Sequence, residues 1–347
     1  MPYLLLFFFI LFPLIALSVF LWGAAIQDCI NLSSVLADKL GPRKTNIADL
    51  YFLECVRLCC THGVFSFWAL IAPMTPISAV AILAFPIVFL IKKGIRTDLF
   101  CLLYSIKINI NSIVIFLFNL PLFLLILYIG SDQVVYFDSA LYHLQLARIL
   151  EEFGALVGIA NLHRSLGQIS SWFVLAAPGT AGGEFGFGMT TANVFITVLA
   201  VLHMTWSWRE IANGSRKLSD IVIGLGIPLI LLLLIRWSMV ASLSPDLPSL
   251  LLTVIAAWAL SLRSKVLGVA TAIFVALFAV STKLSSAPIL IVAGIAALYL
   301  YRKHSGFIVY VIVISCLILT PTVLHSLMAS GCVIYPISAT CFDFKWT

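Results

Sequence analysis

Charge is what this chain has least of: charged residues make up 10% of it, against 62% hydrophobic. No stretch reads as a soluble domain, a low-complexity linker or an internal repeat. There is no Walker loop, no Cys/His zinc set and no serine-nucleophile elbow. The eight cysteines are scattered, and although Cys55, Cys59 and Cys60 lie close together, no histidine pair completes a tetrahedral set. The apolar runs lack the period-2 alternation of a membrane barrel. The Gly-x-Gly elements within 179–188 follow no strand, which argues against a dinucleotide fingerprint. The hydrophobic start, 4–22, has no basic n-region and no clear small-residue cleavage site, so it reads as a first span rather than a signal peptide.

What is present is long apolar sequence, with a mean hydropathy of +1.14. A hydrocarbon core of roughly 30 Å needs about 20 apolar residues per helix, and only helices or closed barrels satisfy their backbone groups in lipid. The expected fold is therefore an all-α integral membrane protein of about 10 transmembrane helices. Candidate spans are 4–22, 53–73, 77–91, 112–130, 190–208, 221–236, 247–262, 266–280, 289–301 and 307–324. The whole chain, 1–347, reads as a single polytopic membrane domain: amino-terminal spans over 1–130, a large extracytoplasmic loop with interfacial helices over 131–189, and carboxy-terminal spans with a short outer tail over 190–347.

The net charge of +6 does not point to nucleic acid. Its basic residues fall in short clusters between apolar runs: Lys92, Lys93 and Arg96; Arg209, Arg216 and Lys217; Arg263 and Lys265; Arg302 and Lys303. Such clusters mark cytoplasmic loops. Placing them inside puts 131–189, 242–246, 281–288 and the tail from His325 outside. The loop 27–48 carries both signs and leaves the orientation of the amino terminus open. Cys332 and Cys341 then face an oxidising compartment, where a disulfide is one of two outcomes. The apolar segment 170–178 is too short to cross and is expected to dip into the outer leaflet or lie along it.

The outer loop gathers the ionisable residues. From Ser139 to about Phe153 the spacing is helical, with Leu141, Leu144, Ala147, Ile149 and Leu150 on an apolar flank and Asp138, Tyr142 and Gln145 on another face. Gly154 is the expected stop. Asp138 stands at the mouth of this helix, where Asp is also a good cap. Tyr142 and His143 serve either as ligand-binding groups or as packing and interfacial anchors. Asn161, His163 and Arg164 form a second polar cluster, with phosphate contact and plain interfacial charge both open for Arg164. Lys283 is a cation on the outer side, either snorkelling or binding phosphate, and Arg236 invites the same comparison. Asp246, between two prolines, either caps a helix or binds a substrate hydroxyl. Nothing fixes Asp132 beside Asp138, and Glu151 and Glu152 lie several turns away, so no metal or other cofactor is expected, although a divalent ion held by dispersed residues stays open.

An acidic residue at the start of a juxtamembrane helix, in a large outer loop after an early span, resembles the GT-C superfamily of integral membrane glycosyltransferases. More specifically, Tyr136-Phe137-Asp138-Ser139-Ala140-Leu141-Tyr142-His143, Gly158-Ile159-Ala160-Asn161-Leu162-His163 with Ser170-Ser171-Trp172-Phe173, and Gly331-Cys332-Val333-Ile334-Tyr335-Pro336 are similar to a little-characterised bacterial family of polytopic membrane proteins placed beside that superfamily. Ser244-Pro245-Asp246-Leu247-Pro248 and Thr282-Lys283-Leu284-Ser285 fit the same pattern. The resemblance covers Tyr136 onward. It implies an inverting transfer of a sugar from a polyprenyl-phosphate donor to a glycan or lipid-linked acceptor at the extracytoplasmic face of the bacterial inner membrane, in cell-envelope polysaccharide assembly. Asp138 would be the general base, Lys283 and Arg164 donor-phosphate ligands, and Tyr335 a groove residue. Family members are often longer, so a truncated, non-catalytic protein is one alternative. A transporter or flippase of lipid-linked saccharides is another, although the charges sit at span ends rather than at mid-membrane.

Overall fold

The computed structural model describes residues 59, 61–85, 87–88, 110–131, 134, 136–180, 189–237, 239–262, 265–301 and 307–347. Among them the regular structure is helical: α1 (Thr61–Ile71), α2 (Pro76–Ala84), α3 (Ile110–Gly130), α4 (Leu144–Glu152), α5 (Ser171–Ala176), α6 (Thr191–Ala212), α7 (Leu218–Trp237), α8 (Asp246–Leu260), α9 (Lys265–Thr282), α10 (Ala287–Tyr301) and α11 (Phe307–Ser330). The helices α6 to α10 pack in sequence order, each against the next, while α3 lies against α6 and α11 against α9. Short loops between such neighbours run them antiparallel.

The all-helical expectation holds, but the expected count of about ten membrane spans does not. Two helices among the described residues, Thr191–Ala212 and Val311–Ser330, are long and apolar enough to cross a membrane. Several others are too short: α2 has 9 residues, α4 has 9 and α8 has 15. At ~1.5 Å of rise per residue, α8 reaches only about 22 Å of a hydrocarbon core ~30 Å thick. The physical reason for the miscount is that an apolar run marks burial without saying in what. Helix α9 is the clearest case, since Ala272, Ala276, Phe278 and Ala279 are fully buried in protein, and a helix apolar all round is what a protein interior also selects. The expected span 4–22 lies outside the described residues.

The core centres on α6, α8 and α9, where Val194, Val201, Leu247, Leu251, Ala256 and Phe278 are enclosed. A second cluster joins Phe65, Met74, Leu146, Leu150, Phe173 and Ala329, and so seats α4 and α5 against α1 and α11. Segment 170–178, expected at a lipid leaflet, is instead held inside the protein, with Trp172 and Phe173 both buried. The expected helix from Ser139 does form and stops where glycine permits. Gly154 has φ 74°, and a Cβ there would lie 2.8 Å from the Ala72 carbonyl oxygen, so the left-handed turn and the close approach to α1 both require glycine.

Polar side chains lock one end of the bundle. Trp172 Nε1 donates to Asn193 Oδ1 (2.6 Å), and Asn193 Nδ2 donates to the carbonyls of Met239 (3.0 Å) and Ser244 (3.2 Å). Ser170 Oγ donates to the Thr282 carbonyl (2.7 Å), Ser171 Oγ to Ser281 Oγ (2.9 Å), and Thr190 Oγ1 to the Gly130 carbonyl (2.6 Å). These bonds draw the loop before α6, the 239–246 connection and the end of α9 together. Beside them, the tail folds back through a Cys332–Cys341 disulfide, and Asn161 Nδ2 donates to the Trp346 carbonyl (2.6 Å). The segments 136–180, 239–246, 283–286 and 331–347 thus share the end opposite the 213–217 turn, the grouping expected from the placement of the basic clusters.

Asn193 is the joint of this end. Asn193→Leu strands a buried indole N–H and two carbonyls, and should lower stability by about 3 kcal/mol, read as a lower midpoint in thermal or denaturant unfolding. An unchanged midpoint would show that the joint is dispensable.

Candidate functional site

Helices α8 and α9 are antiparallel neighbours, so the first residue of α8 and the residue after α9 meet. They are Asp246 and Lys283, and they form an ion pair through Asp246 Oδ1. The other carboxylate oxygen accepts from Ser244 Oγ (2.9 Å) and from Tyr136 Oη (3.2 Å). Ser244 Oγ also accepts the Asp246 backbone N–H (3.2 Å), and Ser244 N–H donates to Ser242 Oγ (3.1 Å). The Ser242-Leu243-Ser244-Pro245-Asp246 sequence therefore builds its own cradle: each serine hydroxyl accepts the backbone N–H two residues on, and the Ser244 hydroxyl donates to the carboxylate. Asp246 also sits in the first turn of α8, where the helix dipole favours an anion.

Burial alone would raise the Asp246 carboxyl, but the Lys283 and Ser244 hydrogen bonds, the lysine charge and the Tyr136 phenol together hold it below its usual range. Both partners keep some solvent contact, with side-chain exposures of 39% for Lys283 and 24% for Asp246. The pair is half-buried rather than sealed, so it faces the surface of the bundle end. Tyr136 is pushed up by burial first and then by the Asp246 charge.

Tyr136 leads into a π-helical turn, Ser139–His143, that continues into α4; the Leu144 N–H reaches back to the Ser139 carbonyl. The wider turn directs Ser139 and His143 inward, and both are 1% exposed. His143 is enclosed by aromatic rings: Tyr142 lies edge-on with centroids 4.3 Å apart, Phe173 is at 5.2 Å and Tyr136 is parallel at 6.2 Å. Burial pushes the His143 imidazole down to about 4, Asp246 opposing and Lys283 reinforcing that shift. It is neutral at ordinary pH. Tyr142 is pushed up to about 12 by burial, then by Asp138, Asp246 and Tyr136.

Asp138 is partly buried. It does not cap the helix, because its backbone is already helical (φ −67°, ψ −23°) and its side chain makes no capping bond. Its charge acts on both Tyr136 and Tyr142. Asp138, Tyr142, His143, Asp246 and Lys283, read from the sequence as candidates, therefore converge on one site. His163, Arg164 and Tyr335 form a different group. His163 Nδ1 accepts the Ser165 N–H (3.3 Å), Arg164 is exposed, and the Tyr335 ring rests on Gly167, 2.9 Å from where a Cβ would stand. Among the described residues none of these three is hydrogen-bonded or ion-paired to Asp246 or Lys283. Asp132 and the Arg236 side chain lie outside the described residues. Among those described, no three His, Cys, Asp or Glu residues are grouped to hold a metal ion.

Sequence reasoning passed over Tyr136, Ser244 and Asn193 as site residues. Tyr136 and Ser244 stand in the two motifs already singled out, two residues from an aspartate in each case, which was the available signal. Asn193 lies inside an apolar helix, where a lone asparagine gives no such cue.

The lowered His143 and Asp246 act in the same direction on stability. A group with a depressed folded pKa binds protons more weakly folded than unfolded, so acid favours unfolding. For His143 the stability present above pH 6.5 is lost as pH falls towards about 4; at about 1.4 kcal/mol per pKa unit this amounts to roughly 3 kcal/mol. Asp246 adds its loss at lower pH. Unfolding measured between pH 7 and 4 should therefore fall more steeply for the native protein than for His143→Gln, and parallel profiles would contradict the assignment.

No curated protein and no solved structure matches the chain. A family model described as a domain of unknown function, DUF8201, matches residues 4–347. With nearly its whole length covered, the chain belongs to the DUF8201 family.

Proposed function

We propose that this protein is a GT-C-like glycosyltransferase that moves a sugar from a polyprenyl-phosphate donor to an acceptor hydroxyl at a membrane surface. The observation that carries this reading is the division of labour between two aspartates at one site. Asp246 is occupied by Lys283, Ser244 and Tyr136, so it is a fixed anion and a poor proton acceptor. Asp138 neither caps its helix nor forms an ion pair among the described residues, and it stands beside the two tyrosines. A general base must be able to reach the proton it takes, and Asp138 meets that need better than Asp246.

In the reaction the acceptor oxygen attacks the anomeric carbon while the bond from that carbon to the donor phosphate breaks. The electron pair leaves with the phosphate, and Asp138 takes the acceptor proton. Charge building on the departing phosphate needs fixed cationic donors. Lys283 has three N–H donors; one engages Asp246, and its partial exposure leaves the others open to a ligand. Asp246 holds the ammonium in place.

Membrane association is part of the proposal and is supported by two features. Two helices have the length and composition of spans. Large apolar side chains also face outward on several helices: Ile71 and Ile77 are each 82% exposed, Leu225 69% and Leu298 67%. Exposed apolar area on this scale is unusual for a protein surface in water and fits contact with lipid. An extracytoplasmic site is part of the same reading, and the basic turn at the opposite end of the bundle supports it.

The test is purified protein supplied with polyprenyl-phosphate sugars and assayed for released lipid phosphate and transferred sugar. Asp138→Asn should lower transfer by 10²-fold or more, within the range removal of a general base produces, with donor binding retained. Full transfer by Asp138→Asn would overturn the base assignment. Movement of lipid-linked sugar across liposomes with no transfer by the native protein would replace the reading with that of a transporter.

A further inference from the structure

Four buried side-chain atoms among the described residues have no hydrogen-bond partner: His62 Nδ1, Ser139 Oγ, His143 Nδ1 and Thr282 Oγ1. Three of the four flank the Asp246–Lys283 pair. Thr282 immediately precedes Lys283, His143 feels the charges of both partners, and Ser139 opens the π turn that His143 closes. All three residues are more than nine-tenths buried, at 1%, 1% and 2% exposure. Native interiors pair almost all such groups, so each unpaired one calls for a reason. Random imperfection would scatter them over the bundle, and here three of the four stand on two segments, the 139–143 turn and the 282–283 step, that adjoin one ion pair.

The surrounding construction supports the same conclusion. The π turn sits within a helix that an ordinary α-turn would have continued, and single π turns are frequent at functional sites. Ser170, just before α5, and Ser171, its first residue, bond to the Thr282 carbonyl and to Ser281 Oγ, so the backbone carrying Thr282 is fixed while its hydroxyl is left unmatched. The unmatched set is one imidazole nitrogen and two hydroxyls. None is charged: His143 is neutral, and a hydroxyl donates or accepts as required. Such a set suits a neutral ligand with several hydroxyls rather than an anion, whose place is beside Lys283.

We infer that Ser139, His143 and Thr282 form a subsite for a neutral, hydroxyl-rich ligand, a saccharide ring, next to the Asp246–Lys283 pair. The inference rests on the proposed transfer of sugar and specifies where the sugar's own hydroxyls are read. Ser139 Oγ and Thr282 Oγ1 each exchange a hydrogen bond with a ring hydroxyl. His143 Nδ1 accepts from, or donates to, a third according to its tautomer. Without ligand these groups weaken the fold, as buried unmatched polar groups do; with ligand they are satisfied.

That reciprocity gives the test. Ser139→Ala and Thr282→Val remove the unmatched hydroxyls with little change in volume. Both variants and the native protein are examined for thermal midpoint and for binding of methyl glycosides of glucose, galactose and mannose, by saturation-transfer NMR or calorimetry. The expected result is a midpoint equal to or above native in each variant, with at least a ten-fold weaker Kd for the glycoside that the native protein binds best. Binding unchanged in both variants would overturn the inference, as would a native protein that binds none of the three glycosides. His143→Gln provides a further readout, since retention of native affinity in that variant also counts against the subsite. Native binding lost in the variants, together with no transfer from any donor, would leave the subsite standing and remove the transferase reading. Transfer with an unchanged KM in both variants would remove the subsite alone.

Discussion

The ion pair between Asp246 and Lys283 ties the start of one core helix to the end of the next, and the arrangement of the polar end depends on it. Two helices that pack side by side can slide along their contact, because apolar packing has little direction. A carboxylate at one terminus and an ammonium at the other fix the register. Once fixed, Asp246 draws Tyr136 across from the long loop, and Tyr136 sets where the π turn begins. Asn193 and the serines at 170 and 171 hold the same segments from the other side. The loops are thus ordered by directional bonds, while the helices beneath them are ordered by burial.

This arrangement also reconciles charge with an apolar surrounding. An unpaired carboxylate in such a place would be neutralised or expelled. Asp246 stays ionised because a cation, a serine and a phenol satisfy it and because some water reaches it. A few residues away the same surroundings keep His143 neutral. One neighbourhood therefore holds a fixed anion, a fixed cation, an uncharged imidazole and a second aspartate with no capping duty. Groups held in contrasting protonation states at one place are typical of sites that do chemistry.

Much of the site was legible in the sequence because its residues stand where apolar sequence gives way to polar. Asp246 and Lys283 each occur at the edge of a long apolar run, and the helix from Ser139 with its glycine stop follows from spacing and from the one residue able to turn there. Their pairing was not legible, since it depends on which helices lie side by side. The π turn is also invisible to periodicity: five residues are too few to separate its pitch from that of an α-helix. His163, Arg164 and Tyr335 stand apart from the Asp246–Lys283 pair among the described residues, because closeness to a motif in sequence does not fix direction. Arg164 turns outward, while Tyr335 packs on Gly167. The span count failed for a different reason, because Ala272, Phe278 and their neighbours are apolar to fill a protein interior. Hydropathy alone does not separate that demand from the demand of lipid.

The central claim, that Asp246 and Lys283 act as one unit organising the polar end, is tested most directly by a double-mutant cycle. Stability is measured for the native protein, Asp246→Asn, Lys283→Met and the variant carrying both. Each single change strands a half-buried partner, so the account predicts that the double variant is more stable than the sum of the single losses implies, with a coupling of roughly 1–3 kcal/mol. Strictly additive losses would contradict it, because the two residues would then be neighbours without being partners.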